Sequence, residues 1–120
     1  MAVAGEKFLN AGRLEEAAAA YRRSLELYPD AEDVHYNLAI TLTRMGKAEE
    51  AVAQYEEALE IAPDYAEAHN NLGNLLVRMG RIEEAIAHFQ EAIEINPGHA
   101  SSYNNLGTAL ARQKRHFDAI

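Results

Sequence analysis

Three groups of side chains have types and spacings that could do chemistry. They are His35 and His69, the glutamate pairs Glu15-Glu16, Glu49-Glu50 and Glu83-Glu84, and the pairs Asn37/Arg44, Asn71/Arg78 and Asn105/Arg112. The histidines stand 34 residues apart, and neither has the i, i+4 His or Cys partner that a helical metal site needs. A packing role is expected for both. Adjacent residues on a helix point about 100° apart, so neighbouring glutamates cannot flank one reacting bond and read as solvated charges. There is no cysteine, no Gly-rich phosphate loop and no nucleophile elbow. No catalytic residue, metal site or cofactor is expected, and no enzyme activity.

The amide and guanidinium pairs point to binding. Seven residues are almost two helical turns, so each Asn shares a helix face with its Arg, about 10 Å along the axis. An Asn amide donates and accepts at once, which suits a sequence-tolerant grip on an extended peptide backbone. Arg selects carboxylates through paired hydrogen bonds. Tyr36, Asn70, Asn74, Asn104 and Thr108 flank the same surface. The expected peptide-binding residues are therefore Tyr36, Asn37, Arg44, Asn70, Asn71, Asn74, Arg78, Asn104, Asn105, Thr108 and Arg112. The alternative is a solvated face copied by repeat duplication. Against it, Asn is a mediocre helix former, and its recurrence in mid-helix has no stability rationale. For the arginines, relief of a helix C-terminal dipole competes with binding.

The elements that carry these residues repeat. Asn37-Leu38, Asn71-Leu72 and Asn105-Leu106 fall in register at a period of 34 residues, as do Gly12, Gly46 and Gly80, and Pro29, Pro63 and Pro97. Ala17, Ala51, Ala85 and Ala119 form another column, and Tyr21, Tyr55 and Phe89 another. Within a unit the apolar spacing is helical: Leu38 and Leu42 on one face, then Ala51, Tyr55 and Ala58 at i, i+4, i+7. Gly46 and Gly80 stand where a first helix should end, since Gly enters the left-handed cap conformation without a Cβ clash. Glu49-Glu50 and Glu83-Glu84 then fall at the positive end of a second helix, which Pro63 and Pro97 close. Loops this short force antiparallel neighbours. The column Gly5, Ala39, Gly73 and Gly107 costs about 1 kcal/mol per mid-helix Gly relative to Ala, and close approach of bulky Tyr55 or Phe89 is the expected reason.

The run Asn71-Leu72-Gly73, Gly80, Glu84-Ala85, Phe89, Ala92 and Pro97 resembles the tetratricopeptide repeat signature. The usual tryptophan is replaced by His35, His69 and Tyr103, and Lys114 stands where the frame calls for glycine. The resemblance implies an all-α fold, a right-handed superhelix (α-solenoid) of antiparallel helix hairpins. About three and a half units are expected in a single domain over 1–120, at about 1–31, 32–65, 66–99 and a partial 100–120. It also implies a concave groove lined by first helices, which is where a protein or peptide partner is expected.

Two subtypes of the family can be compared residue by residue. A carboxylate clamp for chaperone tails would need Lys and Asn where this chain has Ala2 and Glu6, and basic residues at Glu67 and Asn71. The next frame offers Tyr36, Ile40, Ser101 and Asn105, and only the middle Asn fits. The Asn ladder is instead similar to the substrate-binding arm of O-linked N-acetylglucosamine transferases, so an excised glycosyltransferase arm is the rival expectation.

Composition narrows the partners. With 48% hydrophobic and 25% charged residues the chain should fold. A net charge of −8 argues against nucleic acid and anionic membrane surfaces, both of which are gripped through clustered Lys and Arg. The stretch from Met1 to Glu6 lacks the start of a signal peptide, and no run of about 18 apolar residues suggests a span, so cytoplasmic residence is expected. The fourth unit is expected to stop about one turn into its second helix, leaving Leu106, Leu110 and Phe117 uncovered. Either a longer array continues there, or a second copy of the chain forms a homo-oligomer through that uncapped end.

Overall fold

The structure, a computed structural model, describes residues 12–119, with side chains up to residue 115. The described residues form helices α1 (Leu14–Leu27), α2 (Glu32–Arg44), α3 (Ala48–Ile61), α4 (Ala66–Arg78), α5 (Ile82–Ile95) and α6 (Ala100–Ala119). The chain divides into two compact units, one ending at Pro63 and one beginning at Asp64. In the first, α2 packs on α1 and α3; in the second, α4 packs on α5 and α6, and α5 on α6. The all-α hairpin architecture matches the expectation. No described helix is long and apolar enough to cross a membrane.

The turn chemistry follows from the sequence. Gly46 and Gly80 sit at φ +79° and +81°, the left-handed region in which a Cβ would clash. Reversal there lets the Lys47 and Arg81 amides donate to the Leu42 and Leu76 carbonyls at 2.9 and 2.8 Å, satisfying acceptors that the helix end would otherwise orphan. Glu49-Glu50 and Glu83-Glu84 occupy the first turns of α3 and α5, and Pro63 and Pro97 follow one residue after the caps Ala62 and Asn96.

Each unit builds its core from the repeated columns. In the first, Ala17, Ala51 and Ala58 are fully buried beside Tyr21, Leu38, Ala39 and Leu42. In the second, Leu72, Ala85, Phe89 and Ala92 are fully buried. A Cβ added at Gly73 would meet the Phe89 ring at 2.5 Å, so the missing side chain is what lets α5 approach α4. Close approach does not explain the whole column, because a Cβ at Gly107 would meet nothing within 4 Å. Gly5, Ala2 and Glu6 lie outside the described residues.

The expected last hairpin is not formed. Helix α6 runs unbroken from Ala100 to Ala119, whereas a turn near Lys114 and the start of another helix were expected. The physical reason is local: Lys114 replaces the glycine that would adopt positive φ, and neither Gly nor Pro follows Gly107 in the helix to break it. Leu106 is half-buried and Leu110 remains 45% exposed; the Phe117 side chain lies outside the described residues.

Candidate functional site

The second unit brings five of the expected residues to one place. Asn74 and Arg78 on α4, with Asn105, Thr108 and Arg112 on α6 and Val77 beneath, line a concavity of about 190 Å³. Helical spacing explains the set, since 74 and 78 are one turn apart on α4, while 105, 108 and 112 share a face of α6. Arg78 and Arg112 are exposed; Asn74 and Asn105 are half-buried. Arg78 lies in the last turn of α4, where it also complements the helix dipole. Arg112 does not, because α6 continues to Ala119.

A hydrogen-bond relay fixes α6 against α4. Asn70 Oδ1 accepts from the Ser102 hydroxyl at 3.2 Å and from Asn105 Nδ2 at 3.0 Å. The Ser102 oxygen also lies 2.6 Å from His99 Nδ1, and His99 Nε2 donates to Glu67 Oε1 at 2.9 Å. Asn70 thereby departs from its expected role. It is only 5% exposed, and its acceptor oxygen is spent inside the protein, so it positions Asn105 instead of facing a ligand. Neither Ser102 nor His99 stands out in the sequence, and Glu67 does so only as a clamp position; the cue is a polar residue at the Val34/Ala68 column, where Ser102 stands.

The remaining expected residues are dispersed. Asn71 is half-buried and has a partner of its own. Asn104 is exposed, its carbonyl accepts from Thr108 Oγ1 at 3.1 Å, and it lines a separate shallow surface with Tyr103 and Arg115. In the first unit, Asn37 is half-buried and Arg44 is exposed in the last turn of α2. Tyr36 stands edge-on to Tyr55 with ring centroids 6.1 Å apart, so part of its surface is committed to the hairpin.

The histidines pack, as expected from their isolation. His35, 8% exposed, donates from Nε2 to the Pro29 carbonyl at 2.8 Å and places Nδ1 2.7 Å from the Gln54 amide. In the next repeat His88 replaces Gln54, and the His69 and His88 Nδ1 atoms lie 3.0 Å apart. One ring must present N–H and the other a bare nitrogen, so the facing pair has no room for two imidazolium rings. His88 escaped the sequence reading, although the constant spacing of 19 residues in His35/Gln54 and His69/His88 marks it.

Burial, and then the charge of His69, hold the His88 pKa below the ordinary 6.5, against the raising pull of Glu84 and Glu91. A depressed histidine pKa means that the unfolded chain takes up its proton first as pH falls. This contribution to stability is thus present above pH 6.5 and is lost as pH falls through the lowered value in the folded state. Denaturant unfolding across roughly pH 5 to 8 should show that loss, and His88→Gln, which restores the side chain of the preceding repeat, should flatten it. An unchanged acid limb in H88Q would show that the His69/His88 contact does not set it.

Comparison with known proteins identifies the fold. A model described as tetratricopeptide repeat matches residues 30–98 and 64–120, and a TPR repeat model matches residues 5–46. The chain belongs to the tetratricopeptide repeat family. No curated protein matches the sequence. Among solved structures, the Sgt2 tetratricopeptide domain from Aspergillus fumigatus is similar at TM-score 0.92 and 21% identity, over 98% of this chain and 79% of that one. The first tetratricopeptide domain of Spaghetti (RPAP3), bound to an HSP90 peptide, gives 0.91 and 20%, over 94% and 90%. MamA gives 0.90 and 21%, over 94% and 66%. At these identities the likeness is one of fold. Tetratricopeptide repeats are in general non-enzymatic protein-interaction modules, and the match supports a protein-interaction scaffold.

Proposed function

We propose that this tetratricopeptide domain holds an extended peptide segment of a partner protein against the solvent-open face of its first helices. The observation that carries this is the α4/α6 concavity, whose lining of Asn74, Arg78, Asn105, Thr108 and Arg112 consists of donors and amides rather than a catalytic set. Asn71 and Asn74, three residues apart on α4, offer the amides that grip the peptide backbone, and the guanidiniums add preference for acidic side chains. Asn37 and Arg44 repeat the pattern in the first unit. The peptide-bound Spaghetti domain supports the peptide mode of binding. It does not transfer that ligand, since the clamp positions here carry Glu67 and Ser101.

The test separates grip from folding. Alanine is the better helix former, so Asn71→Ala with Asn74→Ala should keep the helical circular dichroism of the parent. The same variant should lose roughly tenfold or more in affinity for a peptide selected from a random display library, as expected when two hydrogen bonds of about 1 kcal/mol each are removed. Undiminished binding by N71A/N74A would remove the amides from the proposal.

A further inference from the structure

We infer that the α4/α6 concavity is a receptor for a phosphorylated serine or threonine side chain in the bound peptide. This rests on the peptide-binding assignment above and adds the chemistry of one side chain to it. The first observation is charge segregation in an acidic protein. No Asp or Glu occurs from Val34 to Ala48, from Ala68 to Ile82 or from His99 to Phe117. These stretches cover α2 and α4 beyond their first turns and α6 as far as Phe117, whereas α3 carries five glutamates and α5 four.

The second observation is which arginines are neutralised. Arg13 pairs with Glu16, Arg23 with Glu26 at 2.8 Å, Arg81 with Glu84 at 2.7 Å, and Arg22 approaches Glu50 at 3.9 Å. Arg78 and Arg112 form no ion pair among the described residues, yet they line one concavity. The dipole of α4 accounts for part of Arg78; nothing in α6 accounts for Arg112, which sits seven residues before the helix end and lines a neighbouring concavity with Glu83 and Glu84 without an ion pair to either.

Stoichiometry then selects the ligand. Two guanidiniums carry a charge of +2 and about ten N–H donors, joined by the Asn74 amide and by the Asn105 N–H that Asn70 does not take. A single carboxylate brings −1 and two oxygens, leaving half of that charge unmatched. A phosphoryl group on a peptide side chain brings about −1.5 to −2 and three strong acceptors, and the planar guanidinium fork fits it bidentately. The relay through Asn70 holds α6 in place before the ligand arrives, which lowers the cost of ordering the site.

The probes are three random extended-peptide libraries with a fixed central residue, either serine, glutamate or phosphoserine, titrated into the full 120-residue chain. The phosphoserine library should bind about tenfold or more tightly than the serine library, the scale of charge-assisted bonds, and the gain should shrink with added salt. Arg78→Gln or Arg112→Gln should erase the gain, and helical circular dichroism equal to that of the parent certifies the fold of each variant. Equal binding of serine and phosphoserine libraries, a gain that survives both substitutions, or a glutamate library that equals phosphoserine would each overturn the phosphate assignment while the peptide surface stands. Failure of all three libraries to bind would overturn the peptide surface and the phosphate site together.

Discussion

Replacing Phe89 with alanine is expected to destabilise the second unit by about 3 to 5 kcal/mol, the range for emptying a fully buried aromatic site. Phe89 is fully buried, and α4 yields to it through Gly73, where a Cβ would stand 2.5 Å from Cε1 and 2.8 Å from Cδ1 and Cζ. Two opposing effects therefore meet in Gly73→Ala. Helix propensity favours Ala by about 1 kcal/mol, while overpacking against an immobile ring costs about 1 to 3 kcal/mol. Overpacking should win, because Phe89 is fully buried and three of its ring carbons lie within 2.8 Å of the added Cβ. Gly107→Ala supplies the contrast: its Cβ meets nothing, so propensity acts alone and the variant should be more stable than the parent by about 1 kcal/mol. Combining Gly73→Ala with Phe89→Leu should cost less than the sum of the single changes, since the ring that clashes is gone. Denaturant unfolding of the five variants checks all of this, and a stabilised Gly73→Ala would contradict the packing account.

The second large effect is expected at Asn70. Truncation to alanine removes the acceptor of Ser102 and Asn105. Ser102 is fully buried but keeps His99 Nδ1 as a partner at 2.6 Å, so the loss of its bond to Asn70 should cost about 1 kcal/mol. Asn104→Ala, at an exposed position, should change stability by less than about 0.5 kcal/mol. Function should follow the same contrast. Without the relay, Asn105 and Arg112 on α6 are no longer held opposite Asn74 and Arg78 on α4, so N70A should weaken peptide binding although no ligand-facing group is removed. Hydrogen exchange at the start of α6 reports the loosening directly. Protection equal to the parent there would show that apolar packing alone seats α6.

These two sites mark where the sequence was informative. Gly46 and Gly80 were readable as helix ends because one residue type solves one backbone problem, and the Glu pairs and prolines around them agree with that solution. The Gly73 approach was also readable, as a small column facing an aromatic one. Gly107 shows the limit, since the same column position has no ring against it. Asn70, Asn71 and Asn74 look alike in sequence, and only the packing of α6 decides that Asn70 is buried and the others are not. Lys114 flagged the weak turn, but not that α6 would run on to Ala119 and free Arg112 from a capping role. Sequence periodicity put Arg78 and Arg112 on equivalent faces; whether they shared one concavity depended on how α4 and α6 meet.

The claim on which the rest depends is that a peptide ligand lies on the amide and guanidinium surface of α4 and α6. Nuclear magnetic resonance mapping of the full chain with a library-selected peptide tests it most directly. The account predicts that the largest shifts fall on the side-chain amides of Asn71, Asn74 and Asn105 and on the Arg78 and Arg112 guanidiniums. Shifts centred on the glutamate-bearing surfaces of α3 and α5, with those groups unmoved, would contradict it.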